Sequence, residues 1–402
     1  MSYNNYSSRP QRRTSYGGNN RGNRSKSRNM VKGRGQYIDP AKFVREAQFK
    51  EEEQYTAQHS FADFDVAQLI KDNLAGKGYE TPSPIQDETI PLGIDGKDVI
   101  GIANTGTGKT AAFAVPVLSK LIANPHSKAL IVAPTRELAQ QIEDEMKSIA
   151  KNSGLFGVLL IGGTPMGPQL RDLRAKPRIV IGTPGRIKDH LERGTLHLAT
   201  FDQVVLDEVD RMLDMGFLPD VRFILDNLKS ERQSFFFSAT MDKRVSQLIE
   251  TFSNDPVTVS VKTSDTSDNV HQNVIHYTSR DEKIEKLHDA LINEAVKKVI
   301  IFDETQRSVE RLARELMDRG FATDAIHGGK SQGQRQRALN KFKQSDIDIL
   351  VATDVAARGI DVKDITHVIN YAIPQTYQDY THRVGRAGRA GATGYALTFV
   401  SK

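Results

Sequence analysis

The chain has 402 residues, 38% of them hydrophobic, enough apolar content for two or three ordinary globular cores. It contains no cysteine, which excludes disulfides, thiol catalysis and cysteine-ligated zinc. No stretch approaches the roughly 20 apolar residues of a membrane span, and no apolar run follows the N-terminal charges as in a secretory signal. A cytoplasmic location is the default expectation. The formal charge of +5 is unevenly spread: nine Lys/Arg and no Asp or Glu fall within residues 1–38, which leaves a net −4 on the remainder.

Residues 1–36 are dominated by Arg, Asn, Gly and Ser, with three interspersed tyrosines. Such a segment cannot bury enough apolar surface to fold alone, so a disordered tail is expected. It reads either as a solubilising tail or as a non-specific nucleic-acid arm, with arginines on phosphates and tyrosines on bases. Residues 37–60 read as a helical connector of mixed charge. From Phe61 onward, β-rich runs at 98–103, 129–134, 157–162, 178–183, 203–208 and 234–240 alternate with helix-period stretches. That is the pattern of a parallel sheet covered on both faces. A polar stretch follows, read as a linker over 257–270. The alternation then resumes with runs at 273–279, 298–302, 324–327, 348–353, 367–371 and 394–400. Two tandem α/β domains, 61–256 and 271–402, are therefore expected.

"ANTGTGKT" (Ala103–Thr110) follows a predicted strand and opens a predicted helix, the context a phosphate-binding loop requires. Backbone N–H groups across Thr105, Gly106, Thr107 and Gly108 would cradle phosphates at the helix N-terminus. Lys109 would neutralise the β- and γ-phosphates, and Thr110 would ligand Mg²⁺ through its hydroxyl. The strict form of the motif has Gly where this chain has Ala103. A hundred residues later "VLDEVD" places Asp207 and Glu208 at the end of an apolar run. Ligands of open parallel sheets bind beyond the carboxyl ends of the strands, so these acids share an edge with the loop. Asp207 can hold the Mg²⁺ shell, and Glu208 can deprotonate a water for in-line attack on the γ-phosphate.

With these motifs in order, the chain resembles the DEAD-box ATP-dependent RNA helicases over nearly all of residues 61–400. "GYETPSPIQ" (78–86), with Phe61 upstream, is similar to that family's adenine-reading motif. Gln86 can bond adenine N6 and N7 together, and Tyr79 can stack on the ring. "PTRELA" (134–139), "GG" (162–163) and "TPGR" (183–186) resemble RNA-contacting loops, which implies roles for Pro134, Thr135, Arg136, Gly163, Thr183 and Arg186. "SAT" (238–240) resembles the motif that links ATP state to RNA. It implies coupling through Ser238 and Thr240, joined to Asp210 and His382. In the second domain, residues 327–342 imply RNA contacts from Gln332 and Arg335. "ATDVAARGID" (352–361) implies Thr353 on RNA and Asp361 on the ribose. "HRVGRAGR" (382–389) implies that Arg386 and Arg389 are arginine fingers.

Three departures stand out. Val209 replaces the usual Ala of the acidic tetrapeptide, a change of volume in a position that supplies no polar group. Ala372 stands where the family usually has Asp and receives no role. The sequence ends at Lys402, where family members usually continue with another helix; the expectation is a short terminus or another segment covering that edge.

The resemblance implies two RecA-like domains with the ATP site in the cleft between them. It implies ATP and Mg²⁺ as cofactors, and single-stranded or short duplex RNA as partner, in ribonucleoproteins, for a monomer without membrane attachment. ATP and RNA would close the cleft, separate paired strands locally without sequence specificity, and release on hydrolysis. Two alternatives are a DNA-directed translocase on the same scaffold and an ATP-gated RNA clamp or chaperone with little unwinding.

Overall fold

The structure, a computed structural model, describes residues 38–47, 55–104, 106–261, 269–293, 295–357, 362, 364–388 and 392–402. The expected tail, and the roles expected of Thr105, Asp361 and Arg389, lie outside the described residues. Among the described residues, no helix is long and apolar enough to cross a membrane.

The first sheet is built from β1 (Val99–Ile102), β2 (Ala129–Val132), β3 (Gly157–Leu160), β4 (Ile179–Gly182), β5 (Gln203–Leu206), β6 (Gln233–Ser238) and β7 (Val257–Ser260). Its order is β3-β4-β2-β5-β6-β1-β7, with every pairing parallel. The second contains β8 (Val270–Tyr277), β9 (Val299–Phe302), β10 (Thr323–Ile326), β11 (Ile349–Ala352), β12 (His367–Asn370) and β13 (Gly394–Ser401). Its order is β10-β11-β9-β12-β13-β8, again all parallel. Each β-rich run read from the sequence overlaps one of these strands.

Both faces of the first sheet are covered, so successive side chains of one strand enter different cores. Phe235 and Phe237 of β6 join Phe113 and Ile131 on one face, while Phe236 joins Leu206, Val209 and Met212 on the other. The second sheet is likewise packed between two apolar clusters. Helices start at the carboxyl ends of the strands, and their caps lie where the motifs do. Thr135 caps the helix Arg136–Ile149 by accepting a hydrogen bond from the Leu138 N–H at 3.2 Å. Ser331 caps the helix Gln332–Lys343 in the same way, reciprocated by Gln334.

Two expectations are corrected. Val257–Ser260, assigned to the linker, is the edge strand β7 and pairs in parallel with β1. Only its third residue is buried, and the run follows Asn254-Asp255-Pro256, so it lacked the apolar signature of its neighbours. The connector at 37–60 is not an α-helix where described. Asp39-Pro40 starts a single 3-10 turn, Pro40–Phe43, followed by extended chain that bridges Gln272 of β8. Residues 55–60 carry no helix either.

Val209 is fully buried among Leu206, Met212 and Phe236. Val209→Ala removes two methyl groups at ~0.8 kcal/mol each and leaves a small cavity. A loss of about 2 kcal/mol from the first domain is expected in urea unfolding followed by circular dichroism, with ATP turnover within about threefold of the parent.

Candidate active site

The phosphate-binding loop leaves β1 at Ala103 and enters the helix Lys109–Ala123. Gly106 and Gly108 both have left-handed φ, +86° and +91°. At Gly108 a Cβ would lie 2.3 Å from the Gln86 amide nitrogen, so only glycine fits. Lys109 is buried and donates to the Ala103 carbonyl at 3.0 Å, which folds its ammonium back over the loop.

β5 is followed directly by Asp207 and Glu208, both buried. Glu208 sits at φ 53°, ψ 54°, a left-handed conformation unusual for a non-glycine residue and a marker of imposed local geometry. Asp207 accepts the Glu208 backbone N–H at 2.9 Å. Burial pushes the Asp207 carboxyl up to about 6, Glu208 adds to this, and Lys109 opposes it. Glu208 Oε2 lies 3.2 Å from Arg211 Nη1, yet neither atom has a hydrogen bond of good geometry. Arg211 was not singled out by sequence; its i,i+3 spacing from Glu208 was the available signal.

Lys109, Thr110, Asp207 and Glu208 line one cavity of about 470 Å³, together with Gly106 and Gly108. Its far wall comes from the second domain, through Lys343 and Arg386. Tyr79 lies at one side, its hydroxyl donating to Glu145 at 2.9 Å, and Lys77 pairs with the same carboxylate at 2.8 Å. Lys77, Glu145 and Lys343 were missed by sequence reasoning, because nothing local marks three surface-type charges as neighbours of a cleft.

Two adenine-site expectations need adjustment. Phe61 does not line the cavity; it is buried in the core and meets Tyr79 edge-on, with ring centroids 5.3 Å apart. It therefore supports Tyr79. Gln86 is also buried, with its carboxamide accepting from the Ser83 N–H at 2.8 Å and donating to the Gly108 carbonyl at 3.0 Å. A carboxamide has two N–H groups and two lone pairs, so one of each remains for a base edge.

The first-domain residues expected to couple the two sites are joined by hydrogen bonds. Asp210 accepts from both the N–H and the hydroxyl of Thr240, each at 2.9 Å, and its own N–H donates to Ser238 Oγ at 3.3 Å. His382 stands with Phe302, Arg383 and Arg386 around a small cavity of the second domain. Arg383 holds that region through Asp354, at 2.6 and 2.7 Å, and through the Ala372 carbonyl at 2.7 Å. The contact at Ala372 is made by backbone, so its departure in side chain leaves this link intact.

A second cavity, about 410 Å³, is lined by Pro134, Thr135, Arg136, Thr183 and Arg186 from the first domain and by Gly328 and Arg335 from the second. Gly163, at φ +76°, lies against the Arg136 guanidinium, where a Cβ would come within 2.1 Å of Nη1. Arg186 donates to the Thr164 carbonyl at 3.3 Å. Arg335 is ion-paired at 2.7 Å with Glu137 of the first domain, and Gln332 approaches the same carboxylate at 3.5 Å. Burial raises the Glu137 carboxyl above its ordinary range, with Arg335 opposing. Glu137 was read only as part of a motif; its partner lies in another domain. Thr353 is buried at the end of β11, where its carbonyl accepts from Ala356 and Ala357.

The comparisons agree with this geometry. The family model for DEAD/DEAH box helicases matches residues 83–248, and that for the helicase conserved C-terminal domain matches residues 282–391. The DEAD-box ATP-dependent RNA helicase CshA of Bacillus subtilis (strain 168) is 43% identical over 85% of this chain and 69% of its own length. CshA of Geobacillus kaustophilus is 44% identical over 85% of this chain and 73% of its own. Among solved structures, Mss116p bound to single-stranded RNA and AMP-PNP matches with a TM-score of 0.77 at 29% identity, over 88% of this chain and 76% of that one. S. cerevisiae Dbp5 bound to RNA and ADP BeF3 matches with 0.75 at 26% identity, over 85% and 90%. The two parallel sheets are thus tandem RecA-like domains, and the chain belongs to the DEAD-box ATP-dependent RNA helicases.

Proposed function

We propose that the 470 Å³ cavity is where ATP is hydrolysed, and that the 410 Å³ cavity binds the RNA backbone. One observation carries the reading. Lys109, Asp207 and Glu208 from one domain share a cavity with Arg386 from the other. In this reading the loop amides and Lys109 hold the β- and γ-phosphates. Tyr79 and Gln86 address the adenine. Glu208 takes the proton of the attacking water, and Arg386 balances charge that develops on the γ-phosphoryl oxygens. Arg389 and Asp361 keep the roles expected of them, as finger and ribose contact, but lie outside the described residues.

The site's oxygens suit Mg²⁺. Burial pushes the Asp207 carboxyl up to about 6, and Glu208 Oε2 makes no hydrogen bond beyond its ion-pair approach to Arg211, so a cation arriving at these oxygens would offset their desolvation. Among the described residues no cluster of three acidic or histidine ligands could hold a metal alone. Mg²⁺ typically takes one or two protein oxygens and completes its shell with phosphates and water. Asp207 and the Thr110 hydroxyl would hold it here, where it would offset phosphate charge.

RNA would lie along Arg136, Gly163, Thr183 and Arg186, with Gln332, Arg335 and Thr353 on the other side. Contacts of this kind, to phosphate and sugar, position a strand without reading its sequence. A phosphate arriving at Arg335 would compete with Glu137 for the same guanidinium. Asp210, Ser238 and Thr240 would carry the state of the first cavity toward the second. Turnover, and with it strand separation, is favoured over a static clamp because Glu208 and Arg386 face the same space.

Glu208→Gln should lower RNA-stimulated phosphate release by at least about a hundredfold while ATP still binds, as read with a fluorescent nucleotide. Turnover near the parent level would remove Glu208 from the role of base. Deleting residues 1–36 should weaken RNA binding and flatten its dependence on salt, without abolishing ATP hydrolysis. An unchanged salt slope would leave the tail only a solubilising part.

A further inference from the structure

We infer that the segment Ile38–Ala47, which precedes the first domain in sequence, is a positioning element for Arg386 in the second. It rests on the reading of Arg386 given above. The arginine follows the helix Tyr377–Val384, with its backbone N–H on the Arg383 carbonyl at 3.1 Å and its Nε on the His382 carbonyl at 3.2 Å. Whatever fixes that helix therefore fixes where the guanidinium starts its reach.

Two neighbouring residues of the helix, Arg383 and Tyr380, anchor it by their side chains. Arg383 ties it to Asp354 and the Ala372 carbonyl, within the second domain. Tyr380 ties it to the N-terminal segment. Phe43 is fully buried, with its ring centroid 4.6 Å from that of Tyr380 at an interplanar angle of 49°. The Tyr380 hydroxyl donates to Gln272 Oε1 at 2.8 Å. Gln272 in turn exchanges both backbone hydrogen bonds with Arg45, at 3.0 and 2.7 Å. One short stretch thus grips the ring of Tyr380 directly and its hydroxyl through Gln272. Lys42 adds a cation 5.9 Å over the Tyr377 ring, and Ile38 packs against the same cluster.

The segment is shaped for this seat. Asp39 caps the turn through the Ala41 N–H at 3.0 Å, and Pro40 pre-sets its first φ. The turn aims Phe43 inward, and the chain then lies antiparallel along β8, the last strand of its sheet. Ala47 continues the contact by donating to His271 Nδ1 at 3.3 Å. The influence of this seat on hydrolysis runs through the helix that precedes Arg386.

The test measures RNA-stimulated ATP hydrolysis and poly(U) binding by the full chain, with folding checked by circular dichroism. Phe43→Ala should lower kcat about tenfold or more, while KM for ATP and Kd for poly(U) stay within about twofold. Phe43→Leu, which refills most of the pocket, should retain most of the rate. Arg45→Pro, which removes the N–H donated to Gln272, should show the same fall confined to kcat. It decides the matter if Phe43→Ala does not fold. In an Arg386→Ala background Phe43→Ala should lower kcat no further, because the group it acts through is gone. An unchanged kcat in the folded variants, or an equal further loss in that background, overturns the inference. If Arg386→Ala alone leaves kcat unchanged, the role of Arg386 fails instead, and the two failures are told apart.

Discussion

The proposed chemistry depends on the meeting of two sheet edges. Lys109, Asp207 and Glu208 stand at the carboxyl ends of β1 and β5, and Arg386 reaches the same cavity from the second domain. Neither domain holds the full set alone. The two buried carboxylates stand beside Lys109 and Arg211, and burial, more than their mutual repulsion, pushes the Asp207 carboxyl up. The second cavity is split in the same way, and the Glu137–Arg335 pair crosses it. Such a buried pair contributes little net stability, because desolvation offsets its attraction. Its use is geometric: it fixes how α-helical N-termini from both domains face one another, at the place where a phosphate would compete for the arginine.

Much of this was legible in the sequence because the relevant signals are local. A strand, a glycine turn and a helix start occupy eight consecutive residues at Ala103–Thr110, and the acids of β5 need only the rule that ligands bind at strand ends. The packing question at Val209 was legible too. The side chain lies in the apolar layer that packs on one face of β5 and β6, with Leu206, Met212 and Phe236. What escaped were contacts between distant parts of the chain. Arg45 and Gln272, or Glu137 and Arg335, are about two hundred residues apart, and no periodicity encodes such a pairing. Charge pattern alone suggested a helix over 37–60. Asp39-Pro40 and the burial of Phe43 in another domain's core override that propensity where the structure is described. β7 escaped for a different reason: an exposed edge strand of four residues carries too little apolar signal.

The second domain is completed by residues that precede the first, so its edge strand β8 is covered by the chain's own N-terminal segment. After that segment, Tyr55, the Gln58 N–H and His59 converge on Asp87, the neighbour of Gln86 on the helix Pro84–Ile94. Those hydrogen bonds hold the Asp87 carboxyl below its ordinary range, although burial works the other way. The N-terminal chain is therefore seated beside the helix Tyr377–Val384 through Phe43 and beside the helix Pro84–Ile94 through Tyr55, Gln58 and His59.

The most direct measurement is steady-state phosphate release by the full chain at saturating ATP and Mg²⁺, with and without single-stranded RNA. If the two split cavities are coupled as described, RNA should raise turnover by about tenfold or more, because its binding favours the arrangement that brings Arg386 to the phosphates. Equal turnover with and without RNA would contradict the account.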